Sequence, residues 1–256
     1  LNSVNLRRKN FEWRTSINIT RLSNVITTPA PGTTQVKAGS WYDWLIQEYA
    51  GVDAADGLPM WYMDDPNDPG KRITTKNYNQ ATRYIIGNRL SDYTGGIFNT
   101  LRYKNFELNI LASFALGGKL YDVDYAGLMG AFNTGSLGFN SHVDILNRWQ
   151  SPDNPGDGQT PKLTTAAINA TAASTRFIYD LTYLRVRNIT LGYRVPEAAL
   201  KKIMLTSARV FFDLQNAFTL FGGPKGTDPE AGLNAQTQYN NTTSNKTFAI
   251  GINIGL

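Results

Sequence analysis

The sequence holds few residues that could do covalent chemistry. It has one histidine, His142, and no cysteine in 256 residues. Disulfides and thiolate metal sites are therefore excluded. With neither a second histidine nor a cysteine, His142 is a poor start for a zinc site. A Ser–His–Asp triad would have to be assembled around His142, yet no nucleophile-elbow sequence is present. His142 thus reads as a structural or solvated residue, and the chain as no enzyme. Asp64, Asp65 and Asp68, with nearby carbonyls, could hold a calcium ion in an outer loop. Their spacing does not fit an EF-hand loop, and a solvated acidic turn is the better reading. No other cofactor is indicated. Trp41, Tyr42, Trp44, Trp61 and Tyr62 could stack on a sugar, but such rings serve as readily in a membrane-boundary girdle or inside a folded loop. The net charge of +5 comes from scattered Lys and Arg, which marks a solvated surface rather than a nucleic-acid site.

The elements are more informative than the reactive groups. Over residues 247–256, Phe248, Ile250, Ile252, Ile254 and Leu256 alternate with Thr247, Ala249, Gly251, Asn253 and Gly255. A period of two is a strand with one apolar and one bland face. Ten residues at about 3.3 Å each, tilted near 45°, rise roughly 23 Å, close to the roughly 25 Å apolar band of an outer-membrane barrel. A soluble sandwich strand has the same pattern. Residues 11–22, 92–103, 106–116, 179–195 and 208–220 also read as strands. The apolar face of 179–195 switches from Leu184 and Val186 to Ile189, Leu191, Tyr193 and Val195, as a bulge near Asn188 would cause. Residues 41–63 suggest a hairpin around the turn 53–57, and Pro196 opens a short helical stretch over 197–203. Another helix is suggested near 142–149. No apolar run is long enough for a transmembrane helix, which does not bear on barrel strands. The sequence opens at Leu1 rather than Met, without a basic segment and apolar run before it, and reads as a processed chain, a fragment or part of something longer.

Connections alternate in length. Those at 53–57, 104–105 and 196–206 are short, and those at 64–91, 121–176 and 221–245 are long. Up-and-down outer-membrane barrels show this asymmetry, with short periplasmic turns and long outer loops. The expected fold is all-β: a segment of a transmembrane antiparallel barrel with six strands, or eight if the 41–63 hairpin also crosses.

Several motifs then resemble one family. Residues 183–193 (Tyr-Leu-Arg-Val-Arg-Asn-Ile-Thr-Leu-Gly-Tyr), Val195-Pro196, residues 207–212, 215–219, 225–230 and the closing 247–254 occur in the order found in SusC/RagA-type TonB-dependent outer-membrane transporters. Residues 50–53, 57–59, 86–88 and 93–96 are similar to further family segments. The resemblance implies that residues 1–256 are the C-terminal part of a 22-stranded barrel whose plug and earlier strands lie outside this chain. It implies nutrient import of oligosaccharides or peptides across a Gram-negative, Bacteroidetes-like outer membrane. It also implies energy from TonB–ExbB–ExbD and a SusD-like surface lipoprotein as lid. The family's usual aromatic last residue is Leu256 here.

Alternation places Ile189, Leu191, Tyr193, Val210, Phe212, Phe248, Ile250, Ile252 and Ile254 toward lipid. It places Arg14, Asn109, Asp213, Gln215 and Asn253 toward the lumen, as candidates for solute contact or for hydrogen bonds within the wall. The strand at 208–220 is the expected neighbour of the closing strand. The alternative reading is a soluble extracellular β-sandwich that binds glycans. A hydrolase built on His142 is the weakest.

Overall fold

The computed structural model describes residues 1–27, 39–40, 42–130, 140–201, 204–223, 228–230 and 244–255. Trp41 and Leu256 lie outside the described residues. In chain order the elements begin with β1 (Asn2–Arg8), β2 (Phe11–Arg21), β3 (Asp43–Gln47), β4 (Tyr49–Val52), β5 (Pro59–Asp64), β6 (Arg72–Thr75) and β7 (Arg83–Asn88). There follow β8 (Tyr93–Tyr103), β9 (Phe106–Leu116), β10 (Lys119–Tyr121), α1 (Val123–Leu128), β11 (Ile178–Asp180) and β12 (Tyr183–Arg194). The chain then continues through α2 (Glu197–Leu200), β13 (Ser207–Phe221) and β14 (Thr247–Gly255).

Seven long strands form one antiparallel sheet in the order β1-β2-β8-β9-β12-β13-β14. The order follows the sequence, so the sheet is an up-and-down meander. Among the described residues no second sheet packs face to face upon it, as a sandwich would require. The count is seven rather than six or eight. Residues 2–8 add a strand paired with β2, while the hairpin expected at 41–63 stays out of the large sheet. That hairpin forms through the turn after Val52, where Gly57 N–H donates to Asp53 O at 2.8 Å. Its strands β4 and β5 join β6 in a three-stranded sheet, and β3 pairs with β7.

Short connections gather at one end of the meander, the turn end. Lys104 adopts φ 51° in the two-residue turn between β8 and β9. A second short turn joins β1 to β2, and α2 with its flanking residues joins β12 to β13. The long connections all lie at the opposite, loop end. The expected bulge is present: β12 shifts register between Val186 and Asn188 against both neighbours. On β13 the matching irregularity holds Asn216 at φ 51°. β14 pairs with β13 from Gln215↔Thr247 to Ser207↔Gly255, as expected of the closing strand.

The dry core is in the loops rather than on the sheet. Trp44, Ile46, Tyr121, Ala126, Met129, Ile145 and Phe177 cluster at the loop end. The 121–176 stretch, expected to be a long loop with one helix near 142–149, supplies α1, a 3-10 helix at Val143–Asn147 and another beginning at Thr175 (Thr175–Phe177). These units are too short to show a helical period in sequence. The helix at 142–149 is therefore a single 3-10 segment, capped by His142, whose Nδ1 accepts from the Asp144 N–H at 3.2 Å. The stretch at 197–203 is helical over Glu197–Leu200, and residues 202–203 lie outside the described residues.

Candidate functional site

Register sorts the sheet into two faces. One row runs Leu108–Leu191–Phe212–Ile250, and the next Phe106–Tyr193–Val210–Ile252. Ile189, paired with Ile110 and Leu214, continues this apolar face, and Phe248 and Ile254 complete it on β14. These side chains are unusually open for their type: Leu191 is 47% exposed, Ile250 78% and Ile252 65%. Burying a Leu or Ile side chain stabilises by about 1.5–3 kcal/mol, so a contiguous uncovered row of them asks for a partner phase or surface.

The opposite face is polar, and its side chains form two charge networks with a hydrogen-bonded stretch around Asp213 between. At the turn end Glu12 accepts from Arg7 Nη2 at 2.6 Å and Arg14 Nη2 at 2.9 Å. Glu107 accepts from Arg102 Nε at 2.9 Å and Arg194 Nη2 at 3.3 Å, with Arg209 Nη2 at 3.6 Å. Arg102 also approaches Glu12 at 3.9 Å and so links the two carboxylates. The belt crosses β1, β2, β8, β9, β12 and β13, with five guanidiniums on two carboxylates.

Between the networks Asn109 donates to Glu107 at 3.0 Å and accepts from Thr100 at 3.0 Å. Asp213 accepts from Asn188 at 2.7 Å, Thr190 at 2.6 Å and Gln215 at 3.2 Å. Asn253 stands opposite Arg209 in register. Gly251 lies beneath Phe211: a Cβ there would come within 2.3 Å of the ring. The small residues of β14 thus leave space for a bulky neighbour on this face.

At the loop end Arg185, its side chain only 4% exposed, is the hub of the second network. It pairs with Asp228 through Nη2, and its Nη1 donates to Glu230 at 2.7 Å and Ser244 at 3.0 Å. Its Nε donates to Thr219 at 3.0 Å. Arg187 Nη2 reaches Glu230 at 2.5 Å. Asp228 also accepts from the Glu230 N–H at 3.0 Å and the Ser244 N–H at 3.1 Å. Burial raises its pKa, but the Glu230 N–H, Arg185 and the Ser244 N–H outweigh this and hold the carboxyl below its ordinary value of 3.8.

All five lumen candidates lie on the polar face, and all nine lipid candidates on the apolar one. The polar five are not one site. Arg14 belongs to the turn-end belt, Asn109, Asp213 and Gln215 to the stretch between the networks, and Asn253 to the β14 edge. Glu12, Glu107, Arg185, Asp228 and Glu230 were not singled out as candidates. Alternation already put the two glutamates on the polar side, and 183–193 and 225–230 contain the other three, but nothing local shows that Arg185 meets Asp228.

Of the aromatic candidates for sugar stacking, Trp44 and Trp61 are enclosed, Tyr62 is half-buried and Tyr42 is exposed. Trp44 is 9% exposed and Trp61 1%. Arg89 covers the Trp44 ring at 4.1 Å, and Trp61 packs on Tyr78 at 5.3 Å. Asp64 accepts from Tyr84 and Asp65 from the Asn67 N–H. Among the described residues no group of three or more His, Asp or Glu is arranged to hold a metal ion.

A meander with one continuous apolar face, one polar face and unequal connections at its two ends is a wall segment of an outer-membrane β-barrel. No family model matches the chain. It is 30% identical over 291 residues to a TonB-dependent receptor of Formosa agariphila, covering 99% of this chain and 28% of the receptor. It is 21% identical over 290 residues to a second TonB-dependent receptor of that organism, again covering 28% of its length. Its fold matches the RagAB peptide transporter with a TM-score of 0.76 at 21% identity, over 99% of this chain and 28% of that one. The RagAB peptide importer in its open-open state gives 0.76 at 23% identity, over 100% and 28% of the two chains. Over nearly its whole length the chain is thus similar to TonB-dependent receptors and shares the fold of the RagAB transporter's wall, and it spans 28% of the length of the receptors it matches.

Proposed function

We propose that this chain is the C-terminal stretch of the barrel wall of a nutrient importer in the outer membrane of a Gram-negative, Bacteroidetes-like bacterium. The observation that carries the reading is the division of one seven-stranded sheet into an open apolar face and a hydrogen-bonded polar face. The apolar face contacts lipid and the polar face lines the lumen. The remaining strands close the barrel through the free sides of β1 and β14, because lipid cannot satisfy unpaired backbone groups. A plug outside this chain is driven by TonB–ExbB–ExbD, and a SusD-like lipoprotein covers the loop end. The cargo class is peptide or oligosaccharide. The names of the matching receptors and of the RagAB peptide transporter support this assignment.

The test is depth-dependent quenching in the complete transporter, reconstituted in bilayers. Single tryptophans replacing Leu191, Phe212 and Ile252 are expected to be quenched by lipid-borne labels. A tryptophan replacing Gln215 is expected to answer only to an aqueous quencher. Equal lipid quenching at all four positions would sink the reading.

A further inference from the structure

The turn end carries basic residues that the charge belt does not use. The turns β1–β2 and β8–β9 are joined, since Lys104 N–H donates to Asn10 O at 2.9 Å. The third connection is tied in as well: Arg194 N–H donates to Asn105 O at 2.9 Å, and the Asn105 amide returns to Arg194 O at 2.9 Å. Between the first two turns opens a cleft of about 540 Å³. Arg7, Arg8, Lys9, Arg102 and Lys104 line it, with Glu12 as the one acid. Arg7 and Arg102 are paired to Glu12 and Glu107. Arg8, Lys9 and Lys104 form no salt bridge among the described residues.

Position distinguishes these three from the belt. Register runs Arg8↔Phe11↔Tyr103↔Phe106↔Tyr193 along one row of the apolar face. Tyr103 is 53% exposed and Phe106 50%, and the Phe106 and Tyr193 rings lie 4.8 Å apart. Lys104 Nζ sits 5.5 Å above the Tyr103 ring. A row of open aromatic rings ending an apolar face marks headgroup depth in a barrel. The unpaired cations lie at that row and immediately past it, where phosphates of the adjoining leaflet would be.

We propose that this rim binds the phosphodiester headgroup of an anionic glycerophospholipid. Arg8, Lys9 and Lys104 contact the phosphate, and Phe11, Tyr103 and Phe106 receive the glycerol and upper acyl carbons. An acidic peptide entering from the lumen would instead meet Arg7 and Arg102, whose charges Glu12 and Glu107 already engage. The inference rests on the lipid-facing assignment proposed above.

The test uses the complete transporter in bilayers mixing phosphatidylglycerol with phosphatidylcholine, with retained lipid read by native mass spectrometry. The intact protein is expected to keep phosphatidylglycerol selectively. Each of Arg8→Gln, Lys9→Gln and Lys104→Gln is expected to weaken that retention roughly fivefold, and the three together about a hundredfold. Arg21→Gln, at the loop end, should leave it unchanged. Selective retention abolished by millimolar inorganic phosphate would mean an ion site rather than a lipid site. Equal retention of both lipids, or retention indifferent to all three substitutions, overturns the proposal. If the tryptophan at Ile252 is lipid-quenched in the same samples, such a failure touches the headgroup site alone. If it is not, the membrane assignment itself fails. The single variants, two of them in turns, keep the test readable should the triple variant not fold.

Discussion

The two charge networks on the polar face use the same residue types and do different work. In the turn-end belt the arginines are open: Arg7 is 63% exposed, Arg194 62% and Arg14 50%. Exposed pairs contribute about 0–1 kcal/mol each, because water screens them and holding long side chains costs entropy. At the loop end Arg185 is 4% exposed and Asp228 6%. Removing one member of a buried pair strands the other charge, at about 3–5 kcal/mol. The belt is a reservoir of positive charge along the wall. The Arg185 network anchors residues 228–230 and Ser244 to β12. Exposure, rather than distance, separates the two roles.

The widest gap should appear on deleting the hub. Arg185→Ala in the complete transporter is expected to cost about 3–5 kcal/mol, read as faster amide exchange over residues 228–230 and 244–245. Exchange unchanged there would erase the distinction between anchor and belt. Acidification should act on the same network. The folded-state pKa of Asp228 is lowered, so its stabilisation is complete above 3.8 and fades as pH falls through the lower folded value. Exchange in 228–230 should therefore rise only below the ordinary carboxylate range. A rise already near neutral pH would assign the anchoring to another group.

Gly251→Val probes the packing of the polar face on β14, where Gly251 lies in register with Phe211, Gly192 and Glu107. It should cost about 1–3 kcal/mol by crowding Phe211, measured as a lower thermal midpoint in detergent. A midpoint equal to wild type would show that the Phe211 ring moves aside freely. The smallest effect is expected for Glu12→Gln, within about 1 kcal/mol of wild type. A loss as large as that of Arg185→Ala would make the belt structural after all.

The sheet was legible where alternation was unbroken. β9 matches residues 106–116, and the partner of β14 followed from order along the chain. β1 escaped because it offers only two apolar residues, Val4 and Leu6, too few to fix a period. A register shift between them sets Val4 opposite Arg14 and Leu6 opposite Trp13, so their two-residue spacing does not put them on one face. The hairpin formed by β4 and β5 carries strand-like aromatics, yet Trp61 is buried among the loops. Composition does not say which core an aromatic residue joins. The Arg185 anchor was illegible for another reason: its acidic partners lie more than forty residues away in sequence, and only the fold brings them together.

The core around Trp44 and Phe177 bears on how such a wall can close at all. Its residues come from two of the three long excursions, between β2 and β8 and between β9 and β12. Uniting the ends of a flexible segment costs entropy that grows by about 0.6 kcal/mol with each doubling of length. A folded hub shared by both excursions replaces two wide searches with one local event. Once it forms, the strands rooted in it start near their register, and the slow, long-range part of sheet assembly becomes a zipping that begins at the loop end.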